Sequence, residues 1–300
     1  MTRLLLDSAS LYYRSYFALP ESITAPDGTP VNAVRGFLDT VAALVTDRGS
    51  SSVVACWDDD WRPQWRVDLV PSYKTHRVAE DLGDPTAEEV PDTLAAQVDL
   101  LRQVLPLLGI PVVGAAGAEA DDVIATLCAA SRTDVASGDR DLVQLVSDST
   151  TLLFTGGTSA SRGGQPWIVY TPSEVQARFG VRPSQYADLA ILRGDPSDGL
   201  PGVKGIGEKT AVALVQAFGG LDGIWAALRD PESPRPMTAG IRGKLLAAEA
   251  ELPRWDAVVR LVPREGITLP RESEPDPDAA LEFGDTWGVR RAVERILAAL

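Results

Sequence analysis

The sequence predicts an α/β fold built on a mostly parallel sheet with helices on both faces. Short apolar runs suited to buried strands alternate with segments of helical periodicity through the first half, and the pattern turns wholly helical from Thr171. With 45% hydrophobic residues over 300 positions, there is enough apolar side chain to fill a sizeable core.

Arg3 to Leu6 reads as the first strand, closed by Asp7. Asn32 to Val45 carries Val34, Phe37, Leu38, Val41, Leu44 and Val45 at helical spacing. Val53 to Trp57 reads as a buried strand, Leu94 to Leu108 as a helix and Ile110 to Val113 as a strand. Ala120 to Ala130 follows as a helix, and Val135-Ala136 starts a further strand. Thr155 to Gly164, rich in Gly and Ser, marks a linking loop, and Thr171-Pro-Ser-Glu174 has the residues of a helix start. The expected division is an α/β core over 1–168 and a helical region over 169–300. Arg229 to Arg235 and Pro270 to Pro277 are Pro-rich connectors, and amphipathic stretches at Ile241–Leu252 and Trp287–Leu300 are expected to pack back on the core.

The formal charge is −14, which taken alone argues against a polyanionic partner. The single histidine, His76, excludes multi-histidine zinc sites and weakens any Ser-His-Asp triad, so acidic residues must carry any catalysis. Cys56 and Cys128 lie in apolar sequence and read as reduced core thiols of a cytoplasmic protein. Neither a signal peptide nor a membrane span is expected, because the N-terminal apolar run reaches Asp7 after three leucines.

The acids concentrate where strands end. Asp7 closes the first strand, Asp58-Asp-Asp60 the second, Glu119-Ala-Asp-Asp122 opens a helix, Asp139-Arg-Asp141 follows the strand through Val135, and Asp195-Pro-Ser-Asp198 lies in a turn. Each group also has a local reading, as helix cap or turn former. Together they suit two or more hard divalent cations, Mg²⁺ or Mn²⁺. Two such ions, typically about 4 Å apart, promote phosphodiester hydrolysis by activating water and stabilising the leaving oxygen. Residues two apart in extended chain point the same way, so Asp139 and Asp141 are expected to share an ion.

Leu200-Pro-Gly-Val-Lys-Gly-Ile-Gly-Glu-Lys-Thr210 fits neither a Walker A loop nor a dinucleotide fingerprint. Flanked by helical sequence at Tyr186–Leu192 and Thr210–Phe218, it reads as a helix-hairpin-helix over about 186–218. Backbone amides of Gly202, Val203, Gly205, Ile206 and Gly207, with the charges of Lys204 and Lys209, would hold a phosphate.

Glu119-Ala-Asp-Asp-Val123, Ser137-Gly-Asp-Arg-Asp-Leu142 and Arg193 to Thr210 closely resemble the 5′ nuclease family. That family includes the 5′-3′ exonuclease domain of bacterial DNA polymerase I and the flap endonucleases. The resemblance runs from Asp7 to about Phe218. It implies a PIN-like parallel-sheet core with a helical arch over about 71–99, and a helix-hairpin-helix gripping duplex DNA and a potassium ion. By motif, Asp7, Asp58, Glu119 and Asp121 would surround one divalent ion. Asp139, Asp141 and Asp195 would hold the second, with Asp198 and Asp122 assisting through water. Lys74 would stabilise the transition-state phosphate, Arg77 would contact an outer phosphate, and Tyr73 would stack on the terminal base.

Several departures stand out. Asp58, Asp59 and Asp60 compete for one ligand position; Asp58 follows from the strand end, while spacing back from Tyr73 also admits Asp59. Arg140 replaces a usual lysine and Gly199 a common asparagine. Val78 to Asp99 holds seven acids and no Lys or Arg where a threading arch would be basic, and no polymerase domain is expected beyond Leu300. The expectation is a cytoplasmic, monomeric, stand-alone 5′ nuclease with exonuclease and flap endonuclease action on DNA. Its substrates would be 5′ flaps or recessed 5′ ends, RNA-primed ends among the alternatives. A non-catalytic DNA-binding module and a metal-dependent ribonuclease are the rival readings. His76 and the tryptophans are expected to be structural.

Overall fold

The computed structural model describes residues 2–79, 88–129, 131–157, 164–269 and 274–300. Parts of three expected irregular stretches, 80–87, 158–163 and 270–273, lie outside the described residues, as does Ala130 at the expected helix end.

β1 (Arg3–Asp7) runs directly into α1 (Ser8–Ala18), because the Asp7 carboxylate accepts from the Ser10 amide at 3.1 Å and caps the helix. The α/β layer continues through α2 (Asn32–Arg48), β2 (Ser52–Cys56), α3 (Gln64–Leu69), α4 (Asp92–Leu107) and β3 (Val112–Val113). It closes with α5 (Ala120–Cys128), β4 (Thr133–Ser137), β5 (Thr150–Phe154) and β6 (Ile168–Tyr170). The strands form one six-stranded sheet in the order β3-β2-β1-β4-β5-β6, parallel except for the edge strand β6.

Two expectations shift. β6 pairs with β5 as far as Tyr170, so the sheet extends past the expected boundary at 168. α4 begins at Asp92 and buries Leu94 and Gln97, so the last part of the expected arch is a core helix.

Alternation along the strands sends side chains to two separate cores. Leu5, Val54 and Val135 face one side. There they meet Val123 and Ile124 of α5 and the helices that follow the sheet: α6 (Pro172–Phe179), α7 (Tyr186–Arg193), α8 (Glu208–Phe218), α9 (Leu221–Arg229), α10 (Ala239–Ala247) and α11 (Leu252–Val259). Leu4, Leu6 and Ala55 face the other side, against α1, α2 and α4. α12 (Pro277–Thr286) and α13 (Arg290–Ala299) return to this second side, burying Ala280, Val293 and Ile296 beside Phe37 and Leu38 of α2. The helical half is therefore split across the sheet, and its tail does pack back on the core.

α6 starts as its sequence indicates, with Thr171 accepting from the Glu174 amide and Pro172 in the first turn. Cys56 and Cys128 are buried free thiols. Among the described residues, no single helix is long and apolar enough to cross a membrane.

Candidate active site

The strand order reverses between β1 and β4, and ligands of open α/β sheets collect at such a switch point, beyond the carboxyl ends of the strands. A cleft of about 510 Å³ opens there, lined by Asp7, Asp58, Glu119, Asp121 and Asp139 together with Lys74, His76 and Arg77. Ser137 at the end of β4 donates to the second Asp7 oxygen at 2.5 Å, so the two central strands meet through a carboxylate already held on both oxygens.

The three aspartates after β2 separate cleanly. Asp58 faces the cleft and accepts from the Ala120 amide at 2.7 Å. Asp59 turns outward to Arg102 at 2.9 Å, and Asp60 accepts from the Arg62 amide. Asp58 is thus the one beside Asp7.

Glu119 is held from below by a buried polar cluster. The Tyr73 hydroxyl donates to both of its oxygens at 2.9 and 3.0 Å, Lys74 Nζ reaches it at 2.6 Å, and Arg66 lies 3.3 Å away. This corrects two expectations. Tyr73 is only 2% exposed and its hydroxyl is seated on Glu119, so its ring has no face to offer a base. Asp122 is absent from the cleft, because it makes a bidentate pair with Arg66, meets Arg264 at 3.1 Å and accepts from the Glu119 amide. With its lone pairs so occupied, it is a structural anchor and no water-mediated metal ligand.

A second group sits across the cleft. Asp139 accepts from the Asp141 amide at 2.9 Å, and Asp141 opens a short 3-10 helix (Asp141–Leu145). The pair is therefore joined by a turn, in place of the extended geometry expected. Asp195 accepts from the amide and hydroxyl of Ser197, and Asp198 lies 3.7 Å from Arg77. The loop carrying Lys74 docks on this turn: the Lys74 amide donates to the Asp198 carbonyl at 3.1 Å and the Ser72 hydroxyl to the Gly199 carbonyl at 2.8 Å. Gly199 has φ +70°, and a Cβ there would stand 2.1 Å from the Ser72 carbonyl oxygen, so the close docking explains the departure from asparagine.

The electrostatics reflect acids crowded with too few cations. Burial and then the Asp58 charge push Asp7 up to about 7 against its hydrogen bond from Ser137. Burial followed by the Asp139, Asp7 and Glu119 charges holds Asp121 well above the carboxylate range. Burial, Asp139 and Asp198 do the same to Asp141. Burial alone would depress Lys74, yet Tyr73, Glu119, Asp198 and Asp58 hold its ammonium well above the usual lysine range. Among the described residues no trio of carboxylates is drawn into ligating geometry, since most are pinned by the hydrogen bonds above. The donor set nonetheless fits hard cations: oxygen ligands only, mutually repelling, and short of compensating charge.

Below Asp195 the chain runs directly into the hairpin. The amides of Val203 and Ile206 donate to Leu192 and Val203 carbonyls, and both side chains are buried. These two residues hold the hairpin's shape, which corrects their expected role as phosphate donors. Lys204, Gly205, Gly207 and Lys209 are exposed. Gly202, at φ +63°, has no room for a Cβ, which would lie 2.3 Å from the Gly194 amide. The carbonyl of Gly205 accepts from Lys244 Nζ of α10 at 2.8 Å.

Sequence reasoning missed Arg66, Ser137, Ser10 and Tyr13. Ser10 and Ser137 flank motif acids by three and two positions and could have been suspected as their orienters. Arg66 reaches the site from α3, with no local signal to its partners. Tyr13 lines the cleft and stacks on Phe17, which is 73% exposed, at 6.5 Å between centroids.

Comparison with known proteins finds the N-terminal, resolvase-like domain of 5′-3′ exonucleases at residues 2–180 and their C-terminal SAM fold at 181–270. A protein named 5′-3′ exonuclease from Mycobacterium tuberculosis is 47% identical over 99% of this chain and 96% of its own length. Among solved structures, T5 5′-exonuclease with bound zinc ions superimposes with a TM-score of 0.64 at 17% identity, covering 99% of this chain and 97% of that one. The catalytic core of Rad2 in complex with a DNA substrate gives a TM-score of 0.64 at 17% identity, over 100% of this chain and 92% of that one.

Proposed function

Because the chain belongs to the 5′-3′ exonuclease family, we propose that it hydrolyses DNA phosphodiesters at 5′ flaps and recessed 5′ ends, RNA-primed ends included, in primer removal and repair. The observation that carries this reading is the contiguity of two devices. The acidic cleft and the exposed hairpin are joined through the Asp195–Gly199 turn, which meets Asp139 and Arg77 on one side and Glu208 on the other, so a duplex held at the hairpin would lie against the carboxylates.

The carboxylates would hold Mg²⁺ or Mn²⁺: Asp7, Asp58, Glu119 and Asp121 on one side, and Asp139, Asp141, Asp195 and Asp198 on the other. Bound there, divalent cations supply an activated water and charge neutralisation at the leaving oxygen. The protein's own groups do the rest. Asp7 and Glu119 are fixed by Ser137 and Tyr73, so little reorganisation is needed when the substrate arrives. Lys74, kept protonated, leaves Glu119 and turns its charge to the reacting phosphate. Arg77, which donates to the Ser197 carbonyl and lines the cleft, takes an outer phosphate. Lys204, Lys209 and the open amides of Gly205 and Gly207 grip the duplex backbone. A potassium ion was expected at the helix-hairpin-helix; there the Gly205 carbonyl already accepts from the Lys244 ammonium, so that one oxygen is not open to a free cation. The enzyme is proposed to act as a monomer in the cytoplasm, which suits its two free thiols.

The test is cleavage of a 5′-labelled flap duplex, a recessed 5′ end and a matched single strand, with Mg²⁺, with Mn²⁺ and with chelator. Metal-dependent cuts near the flap junction are expected. Equal cutting of the single strand would remove the structure selectivity, and cutting of folded RNA in preference to DNA would favour the ribonuclease reading.

A further inference from the structure

The chain contains 24 arginines and four lysines, at positions 74, 204, 209 and 244. Arginine is its default cation, and lysine is confined to the cleft and the hairpin. Lys74 faces Glu119, and Lys204 and Lys209 belong to the hairpin motif. Lys244 comes from α10, 39 residues beyond the glycine it touches, and its ammonium donates to the Gly205 carbonyl at 2.8 Å. Gly205 makes room for it: a Cβ there would lie 3.0 Å from Nζ and 3.1 Å from Cε. Lys244 is exposed, and among the described residues it pairs with no carboxylate.

We infer that Lys244 is the built-in cation of the hairpin, anchored on the Gly205 carbonyl and presenting its remaining N–H donors to a phosphate of the bound duplex. An ammonium suits this place because it is a compact charge with three donors, one of which the carbonyl uses. A guanidinium would spread the same charge over a planar fork. The cation that orders the hairpin and bridges it to DNA is then part of the chain, and binding needs no particular monovalent ion. This inference rests on the reading of the hairpin as a duplex grip.

It is tested by fluorescence anisotropy of a labelled flap duplex in chelator, which prevents cleavage, across a salt titration. Wild type, Lys244→Met and Lys204→Ala are compared in KCl and in NaCl. Wild type is expected to bind equally well in the two salts. Lys244→Met is expected to bind about fivefold more weakly and to lose about 0.9 from the slope of log affinity against log salt, as Lys204→Ala does, with unchanged melting temperature. A merely structural tether would leave the slope as in wild type, and that result overturns the inference. So does clearly tighter wild-type binding in KCl than in NaCl. If wild type fails to bind any duplex, the hairpin reading itself falls and this inference with it.

Discussion

Arg66 and Asp122 form a bidentate ion pair with both N–O distances at 3.0 Å and both side chains 2% exposed. The pair is sandwiched by Trp65 and Tyr73, whose ring centroids lie 4.7 and 5.7 Å from the guanidinium carbon. Asp122 also lies 3.1 Å from Arg264 Nε, which comes from beyond α11. A charge buried this deeply is tolerated only with its partner, and losing one partner strands the other. Arg66→Met is therefore expected to lower stability by about 3 kcal/mol or more, and Asp122→Asn to destabilise as well, because the amide nitrogen it introduces would face only N–H donors from Arg66 and Glu119. Chemical denaturation of both variants checks the two losses.

Tyr73 is expected to act on Glu119 and not on a base. Tyr73→Phe leaves the packed ring and removes the hydroxyl, so kcat should fall by roughly tenfold while affinity for a flap duplex in chelator stays unchanged. An unchanged kcat would contradict the role assigned to the hydroxyl.

Asp58 and Asp59 differ only in the direction they face. Asp58→Asn is expected to cost at least about a hundredfold in cleavage. Asp59→Asn, whose half-exposed pair with Arg102 lies outside the cleft, should stay within about twofold. Parallel rate measurements decide between them, and equal losses would contradict the assignment.

Crowding of the acids sets a pH dependence for the metal-free protein. Asp7 is pushed from 3.8 up to about 7 by burial and by Asp58, so between those values the folded state binds more protons than the unfolded one. The stability this gives is full below about pH 4 and is lost as pH rises through about 7. In chelator the melting temperature should fall from pH 5 to pH 8. Saturating Mg²⁺, which stabilises the charged form, should reduce or reverse that fall.

Much of the site was legible in the sequence because its acids stand directly after apolar runs, where a parallel sheet delivers its strand ends to one rim. Asp7, Asp58 and Asp139 follow from that rule alone. Tyr73 and Asp122 misled for a common reason. Each lies in a motif beside a working residue, and only the third dimension shows that one is turned inward to Glu119 and the other to Arg66. Val203 and Ile206 are similar: a hairpin needs buried apolar residues between its exposed glycines, and spacing alone does not separate the two roles. α1 went unread because the helix is capped by Asp7, an acid also claimed by the cleft. The return of α12 and α13 to α2 depends on contacts more than 200 residues apart in sequence, such as Arg295 with Asp39.

The most direct test is the rate of flap cleavage in Mg²⁺ by wild type and by Asp121→Asn, measured alongside the melting temperature of each. Asp121 is held well above the carboxylate range by burial and its acidic neighbours, so removing its charge relieves repulsion in the metal-free fold. The carboxylate cleft as catalytic centre predicts a loss of at least about a thousandfold in rate with an equal or higher melting temperature. A variant that cuts within about tenfold of wild type would contradict it.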